Sequence, residues 1–320
     1  MNKANLHCIF GKIPEDSPNL EIVGAYDFYK RELPWASVWG DSGLVVDNAG
    51  EPLWDCLWQK AFLNNCPDFK ESKWRFLPKI KLGTYFNTML YWCRGYYHWI
   101  CDALPRIQQA LPYLPNETKF IIPANLPKPF LDALEVVGVP LSRCEVFSGK
   151  RPWRVQRLIH VPPVAMTGDH TKKSILLLRE QIFKSIGIRS KTTPCRKLYI
   201  SRRKGVERVI VNEWEVLELV TQLGFEQVFC EDMSFAEQVR LFFEAKFVFG
   251  PHGGGLTNII WCKPETKVVE IFHPESVRRC YWSIAQTIGL NHSCGVGKSA
   301  EKSGIHCIKC DIDQMLVALS

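Results

Sequence analysis

The sequence predicts an α/β protein made of two Rossmann-like domains that face each other across a cleft. Strand and helix patterns alternate along the chain in two separate series, which is the signature of parallel sheets covered by helices. A length of 320 residues is enough for two domains, each with its own core. A glycine-rich turn, Gly250-Pro251-His252-Gly253-Gly254-Gly255, follows an apolar strand in the second series and opens a helix, as in folds that hold phosphate groups.

The expected domains are residues 1–167, with a β-rich N-terminal segment, and residues 168–320. In the first, Leu44–Val46, the turn Asp47–Gly50 and Leu53-Trp54 read as strand, turn, strand. Trp35, Trp39, Trp54, Trp58 and Trp74 read as packing residues. Thr84–Tyr91 is an expected strand, and Tyr96–Leu111 a helix that Pro105 must kink or shorten. Phe120–Ile122 is a strand, Phe130–Val137 a helix stopped by Gly138 and Pro140, and Val155–Val161 a strand. Lys172–Ile186 reads as a linker helix.

The second series is clearer. Lys197–Ile200 is a strand, and Asn212–Leu223 a helix with Asn212 as N-cap, Glu215 three residues on and Gly224 as its stop. Gln227–Phe229 is a strand, and Ser234–Ala245 a helix whose Ser234 and Glu237 form a capping box. Phe247–Phe249, the glycine turn and a helix through Trp261 follow. Lys267–Phe272 is a strand and Ser276–Ile288 a helix ended by Gly289.

Composition narrows the classes of function. Apolar residues make up 46% and charged residues 23%, the balance of an ordinary globular chain. No apolar run approaches the roughly 18 residues of a membrane span. No apolar core with a small-residue cleavage site follows Met1, so a cytoplasmic protein is expected, with contact to the inner membrane face if its acceptor is membrane-bound. The 13 cysteines then read mainly as reduced, buried residues. A net charge of +7 suits anionic substrates and is too diffuse to indicate nucleic acid.

Three constellations carry chemistry. Around Gly253, Gly254 and Gly255 the backbone can approach an anion, unpaired N–H groups at a helix start attract negative charge, and His252, Thr257 and Asn258 add donors. Ser201, Arg202 and Arg203 follow the first strand of the same series, and arginine forks grip phosphate oxygens two at a time. A departing diphosphate would need that positive charge most in the transition state. The bland alternative is a packing turn beside a solvated basic loop.

The second constellation is His98, Asp102 and Arg106 at spacings of four on one helix. A histidine beside an aspartate can act as a general base, and a surface ion-pair ladder is the alternative. The third is Glu231-Asp232-Met233 with Glu270. The acidic pair could meet a nucleoside or cap the next helix. Glu270, inside an apolar strand, needs a buried partner, for which a ribose would serve.

Other signatures do not hold. Gly40-Asp41-Ser42-Gly43 lacks a suitable preceding His and Asp. His252–Gly255 echoes a lipase loop, but no Gly-x-Ser-x-Gly elbow exists. Gly297-Lys298-Ser299 lacks the upstream glycine of a P-loop, and Asp311-Ile312-Asp313 reads as a helix start. Cys307 and Cys310, with Cys294, His292 and His306 nearby, have irregular spacing for zinc.

Taken in order, Tyr97-His98-Trp99, Asp102, Leu104-Pro105-Arg106, Tyr199-Ile200-Ser201-Arg202-Arg203, Asn212-Glu213, Glu231–Gln238, Gly250–Asn258 and Val269–Phe272 resemble glycosyltransferase family 61 over roughly residues 83–290. The family's common Gly-Ala-Gly step is replaced here by Gly253-Gly254-Gly255. The resemblance implies a GT-B architecture and inverting, metal-independent transfer of N-acetylglucosamine or a pentose from a UDP-linked donor to a glycan or protein hydroxyl. It is nearest in character to bacterial members linked to capsular and surface polysaccharide. No cofactor or metal is expected. The partners are a nucleotide sugar and a glycan acceptor. A non-catalytic nucleotide-sugar-binding protein of the same fold is the alternative. An oxidoreductase would need a Gly-x-Gly-x-x-Gly motif that neither Gly83 nor Ser201 opens.

Overall fold

The computed structural model describes residues 7–11, 30–53, 77–189, 192–202, 205, 207–300 and 306–319. The chain divides into two compact units, one within 24–186 and the other made of 187–320 with the segment before residue 24. Strand β1 (Cys8–Phe10) therefore belongs to the second unit, although it comes first in the sequence.

The first unit contains β2 (Arg31–Trp39), β3 (Leu44–Val46) and β4 (Lys79–Asn87). A π-helical turn, His98–Ala103, then runs into α1 (Leu104–Ala110). β5 (Lys119–Pro123), α2 (Lys128–Val136), β6 (Cys144–Phe147), β7 (Trp153–His160) and α3 (Lys172–Ile186) follow. The sheet order is β3-β2-β7-β4-β5-β6. β7, β4, β5 and β6 are mutually parallel, and β2 and β3 extend the sheet antiparallel. The order reverses at β4, with β5 on one side and β7 on the other, which is the switch point of a Rossmann-like half.

β4 starts and ends earlier than the sequence pattern suggests. At its end the Thr88 N–H makes the last ladder bond, to the Ile121 carbonyl at 3.1 Å, and the Thr88 hydroxyl donates to the same oxygen at 2.8 Å. The expected kink at Pro105 takes the form of the π-helical turn. Pro105 has no N–H for the Cys101 carbonyl and its ring needs room there, so the preceding turn widens. The Leu104 N–H accordingly reaches back five residues to the Trp99 carbonyl.

α3 is not a linker. Ile175, Leu178 and Ile182 are buried, and Gln181 accepts from Gln108 on α1 at 2.6 Å and donates to the Val137 carbonyl beyond α2. The first unit therefore runs to residue 186 rather than 167. Trp54, Trp58, Trp74 and Arg203 lie outside the described residues.

The second unit holds β8 (Arg196–Ile200), α4 (Glu213–Gln222), β9 (Glu226–Val228), α5 (Phe235–Phe243), β10 (Ala245–Pro251), a 3₁₀ helix (Gly254–Trp261), β11 (Lys267–Phe272), α6 (Cys280–Ile288) and β12 (Asn291–Val296). The short β13 (Lys298–Ser299) and β14 (Ile308–Lys309) pair with each other, and α7 (Ile312–Leu319) ends the unit. The sheet order β1-β12-β11-β10-β8-β9 is parallel throughout. Its order reverses between β8 and β10, so the segments after those two strands meet at the ligand-binding end of such a sheet.

One face of this sheet packs Tyr199, Phe249, Val269 and Ile271 against Val216, Val220, Met315 and Leu319 of α4 and α7. Each fully buried side chain of this kind contributes about 1.5–3 kcal/mol. The Ser234–Glu237 capping box forms as read. Asn212 does not cap α4 through its side chain, which instead pairs with Glu215 and with both backbone groups of Cys310. No helix among the described residues is long and apolar enough to cross a membrane.

Arg106 is 1% exposed. It donates to the Val161 carbonyl at 2.6 Å and the Asn87 carbonyl at 2.8 Å, and it lies over the Phe86 ring. It braces the ends of β4 and β7, which corrects the expectation that it lines a catalytic face. Arg106→Met leaves two buried carbonyls without these donors. Urea denaturation should show a loss of about 2–4 kcal/mol at unchanged m value. A loss below about 0.5 kcal/mol, the scale of a neutral surface substitution, would contradict the brace.

Candidate functional site

In the second unit the glycine turn is built around close contact rather than unusual backbone angles. Gly253 is extended, with φ 166 and ψ 176, a conformation any residue adopts. What it lacks is space, because a Cβ there would overlap the guanidinium of Arg202. A Cβ on Gly255 would sit 2.7 Å from Ile200 Cγ2, and one on Gly250 would sit 2.8 Å from the Ile200 carbonyl oxygen. The end of β8 and the start of the 3₁₀ helix are thus pressed together, with Arg202 between them. Tyr281, in the first turn of α6, donates to the Gly253 carbonyl and fixes the turn from the other side.

Arg202 is held by its own loop. Its Nε and Nη2 donate to the Glu207 carbonyl at 3.2 and 3.1 Å, and the Gly205 N–H returns to the Arg202 carbonyl at 2.7 Å. Burial lowers the pKa of its guanidinium, and the charge of Arg208 lowers it further, so positive charge is concentrated there without full compensation. Tyr281, Glu207 and Glu231 work in the opposite direction.

His252 is anchored from beneath. Its Nδ1 meets Glu270 Oε1, and the other carboxylate oxygen of Glu270 meets His292 Nε2 at 3.0 Å. Glu270 is completely buried. Burial raises its pKa, but the charge and hydrogen bond of His252, joined by those of His292, more than offset this and hold the carboxyl below its usual range. His252 also lies below its ordinary value. Burial lowers it, Glu270 pulls it up, and the charges of Arg208 and Arg202 lower it again. A neutral imidazole donating from Nδ1 to a carboxylate has its remaining lone pair on Nε2.

This corrects several expected roles. Glu270 takes two histidines as its partners, so it is not presented to a ribose. Ser201 is 3% exposed and donates to Glu213 at 2.6 Å, alongside Tyr199 at 2.9 Å. Thr257 and Asn258 are fully buried. The Thr257 hydroxyl lies 3.4 Å from that of Tyr281. Asn258 donates to Gln238 at 2.7 Å and accepts from Trp261 at 3.1 Å. These residues hold the turn in place rather than facing a ligand. Glu231 and Asp232 are exposed in a 3₁₀ turn beside the glycines, Met233 is half-buried, and helix capping falls to Ser234 and Glu237. Cys230 of that turn would lie 3.4 Å from a Cβ on Gly255. Sequence reasoning did not find Tyr281 or the pairing of Glu270 with His292.

In the first unit, His98 Nδ1 lies 2.8 Å from Asp102 Oδ2. The Thr167 hydroxyl donates to the same oxygen at 2.8 Å and stands 3.2 Å from His98 Nδ1. The Asp102 side chain is 3% exposed and that of His98 25%. Trp92 lies against the His98 ring with centroids 5.3 Å apart, and the neighbouring Tyr97 hydroxyl meets His170 Nε2 at 2.9 Å. The wide turn before Pro105 thus keeps His98 and Asp102 together. A buried carboxylate on Nδ1 fixes the ring so that a proton taken from a substrate would be carried on Nε2. Thr167 and His170, remote in sequence, carried no signal.

The zinc reading of the C-terminal residues does not fit. Among the described residues, His292, Cys294, Cys307 and Cys310 form no group close enough to share an ion. Among the described residues, His273, Glu275 and His306 are the group close enough to share an ion. Both ring nitrogens of His273 are already engaged, Nδ1 by the Glu275 N–H at 3.2 Å and Nε2 by Ser299 at 3.0 Å.

A neutral buried His252 has a consequence for stability. An unfolded histidine titrates near about 6.5. With a lowered folded pKa, this contribution is fully present above that pH and is lost as pH falls through the folded value. The urea midpoint of the wild type should fall between pH 7.5 and pH 5.5, and the fall should be smaller in His252→Asn. An equal fall in both proteins would contradict the assignment.

E. coli heptosyltransferase WaaC with ADP is similar in structure at 12% identity and a TM-score of 0.33, covering 73% of this chain and 96% of that one. That likeness is too slight to carry an argument. The search of curated proteins gave no match. The family model for Glycosyltransferase 61 matches residues 96–269, from the π-helical turn through the glycine turn and into β11. The chain belongs to glycosyltransferase family 61 and is a glycosyltransferase.

Proposed function

We propose that the protein transfers N-acetylglucosamine or a pentose from a UDP-linked donor to a glycan or protein hydroxyl, with inversion, in surface polysaccharide synthesis at the cytoplasmic side of a membrane. The observation that carries the donor half of this reading is the Arg202 guanidinium lying in the space freed by Gly253, beside His252, at the switch point of a parallel sheet. In such sheets this is where nucleotides bind. Charge develops on the diphosphate as the glycosidic bond breaks, and fixed cations stabilise the transition state more than the ground state. Arg202 supplies that charge here, with neutral His252 beside it, so no divalent cation is assigned a role.

The acceptor half rests on His98 and Asp102. In a single-displacement reaction the acceptor hydroxyl loses its proton as it attacks the anomeric carbon. His98 takes that proton, and Asp102, held by Thr167, orients the ring and stabilises the imidazolium. Asp102→Asn should lower turnover by about 10²–10⁴-fold while UDP still binds as in the wild type. Near-normal turnover would place the base elsewhere. A thermal-shift panel of UDP, GDP, CMP and TDP sugars identifies the donor, and a UDP sugar should give the largest stabilisation. Turnover should persist in excess chelator, and its abolition there, with recovery on adding a divalent cation, would overturn the metal-independent reading.

A further inference from the structure

The turn between β4 and the π-helical turn presents a tryptophan in a conformation that packing does not require. Trp92 adopts φ 65, a left-handed backbone that is an outlier for a bulky side chain. Its neighbours hold the turn to the core. Met89, Leu90 and Cys93 are at most 1% exposed, whereas Trp92 is 44% exposed. The Cys93 N–H donates to the Leu90 carbonyl at 3.0 Å and the Gly95 N–H to the Trp92 carbonyl at 2.8 Å, so backbone bonds close the turn. Backbone strain of this kind is tolerated where function requires it.

The turn sets the indole against His98. The two ring centroids are 5.3 Å apart and the rings are tilted by 37°. Gly95 permits this approach, because a Cβ there would lie 3.3 Å from His98 Cδ2 and 3.4 Å from the Trp92 carbonyl oxygen. The Trp99 N–H donates to the Gly95 carbonyl at 2.9 Å and ties the turn to the π-helical turn. The Tyr91 ring meets the indole edge-on, with centroids 4.8 Å apart. A large aromatic surface thus stays in contact with solvent beside the imidazole assigned to the acceptor hydroxyl. Trp92 lies before the segment matched by the family model, so it is a feature of this chain's own turn.

The chemistry of that surface narrows the acceptor. A serine or threonine hydroxyl is carried on a side chain too small to cover an indole. A sugar ring has a face of C–H groups and a rim of hydroxyls. The C–H face can lie on the electron-rich face of an indole, which leaves a rim hydroxyl beside the neighbouring imidazole. We propose that Trp92 is the platform on which a sugar ring of the acceptor stacks, and that the acceptor is a glycan rather than a protein hydroxyl. The inference rests on the acceptor reading of His98 given above and assigns it a binding residue and a substrate class.

Saturation-transfer NMR in the presence of UDP tests it, with the methyl glycosides of galactose, glucose and mannose and a blocked serine-containing peptide as probes. The wild type should saturate the C–H protons of at least one glycoside and bind it more tightly than the peptide. Trp92→Gly should weaken that binding by about tenfold, and Trp92→Tyr, which keeps an aromatic face, by much less. Glycine relaxes the left-handed backbone, so Trp92→Gly should keep or raise the melting temperature while losing the sugar. Glycoside binding unchanged in Trp92→Gly, no binding of any of the three glycosides, or tighter binding of the peptide would overturn the platform. A fall in kcat with glycoside binding intact would make Trp92 a support for His98 and overturn it as well. Transfer from UDP-N-acetylglucosamine and UDP-xylose to the same probes separates the two ideas. Trp92-dependent glycoside binding without transfer from either donor retains the platform and counts against the proposed reaction. Transfer to the peptide by a protein that binds no glycoside retains the reaction and overturns the platform.

Discussion

The missing Cβ at Gly253 is what allows the guanidinium of Arg202 to lie against the backbone where β8 and β10 diverge. Any side chain at that position would expel the arginine from the ligand-binding end of the sheet. Once Arg202 is there, its loop closes through Gly205 and Glu207, and Arg208 is carried to its side. The carbonyl of the same glycine accepts from Tyr281, which brings the first turn of α6 to the same place. One atom's absence therefore organises two loops and a helix around a concentration of positive charge.

That charge stands on a buried polar base. Glu270 lies in the centre of a parallel strand, where an unpaired carboxylate would be very costly, and it is stable because His252 and His292 take one oxygen each. The arrangement fixes the tautomer and direction of His252 without a water-exposed partner. The first unit follows the same logic with different parts. Asp102 is buried, held by Thr167, and sets the orientation of His98. In both places a buried carboxylate directs a histidine.

Much of this was legible in the sequence. The alternation of strands and helices, the Ser234–Glu237 capping box and the glycine turn after β10 follow local rules, and the structure keeps them. The pairing of His98 with Asp102 also follows from spacing. Roles that depend on register or helix type were not legible. His292 lies beside Val268 in the parallel pairing, which places it next to Glu270, and no local pattern states that register. Asn258 was expected to face a ligand. In a 3₁₀ helix, with three residues per turn, Gly255, Asn258 and Trp261 align in one column, and Asn258 bonds to both neighbours in it. Arg106 was turned inward at the wide turn before Pro105, where two strand-end carbonyls needed a donor.

The central claim is that a nucleoside diphosphate sits against the glycine turn with Arg202 over it. Amide hydrogen exchange with and without saturating UDP tests this most directly. The account predicts slowed exchange in residues 201–208, 252–256 and 278–282 of the second unit, with smaller changes in its other strands. UDP binding without protection at 201–208 and 252–256, or with protection concentrated elsewhere in the chain, would contradict it.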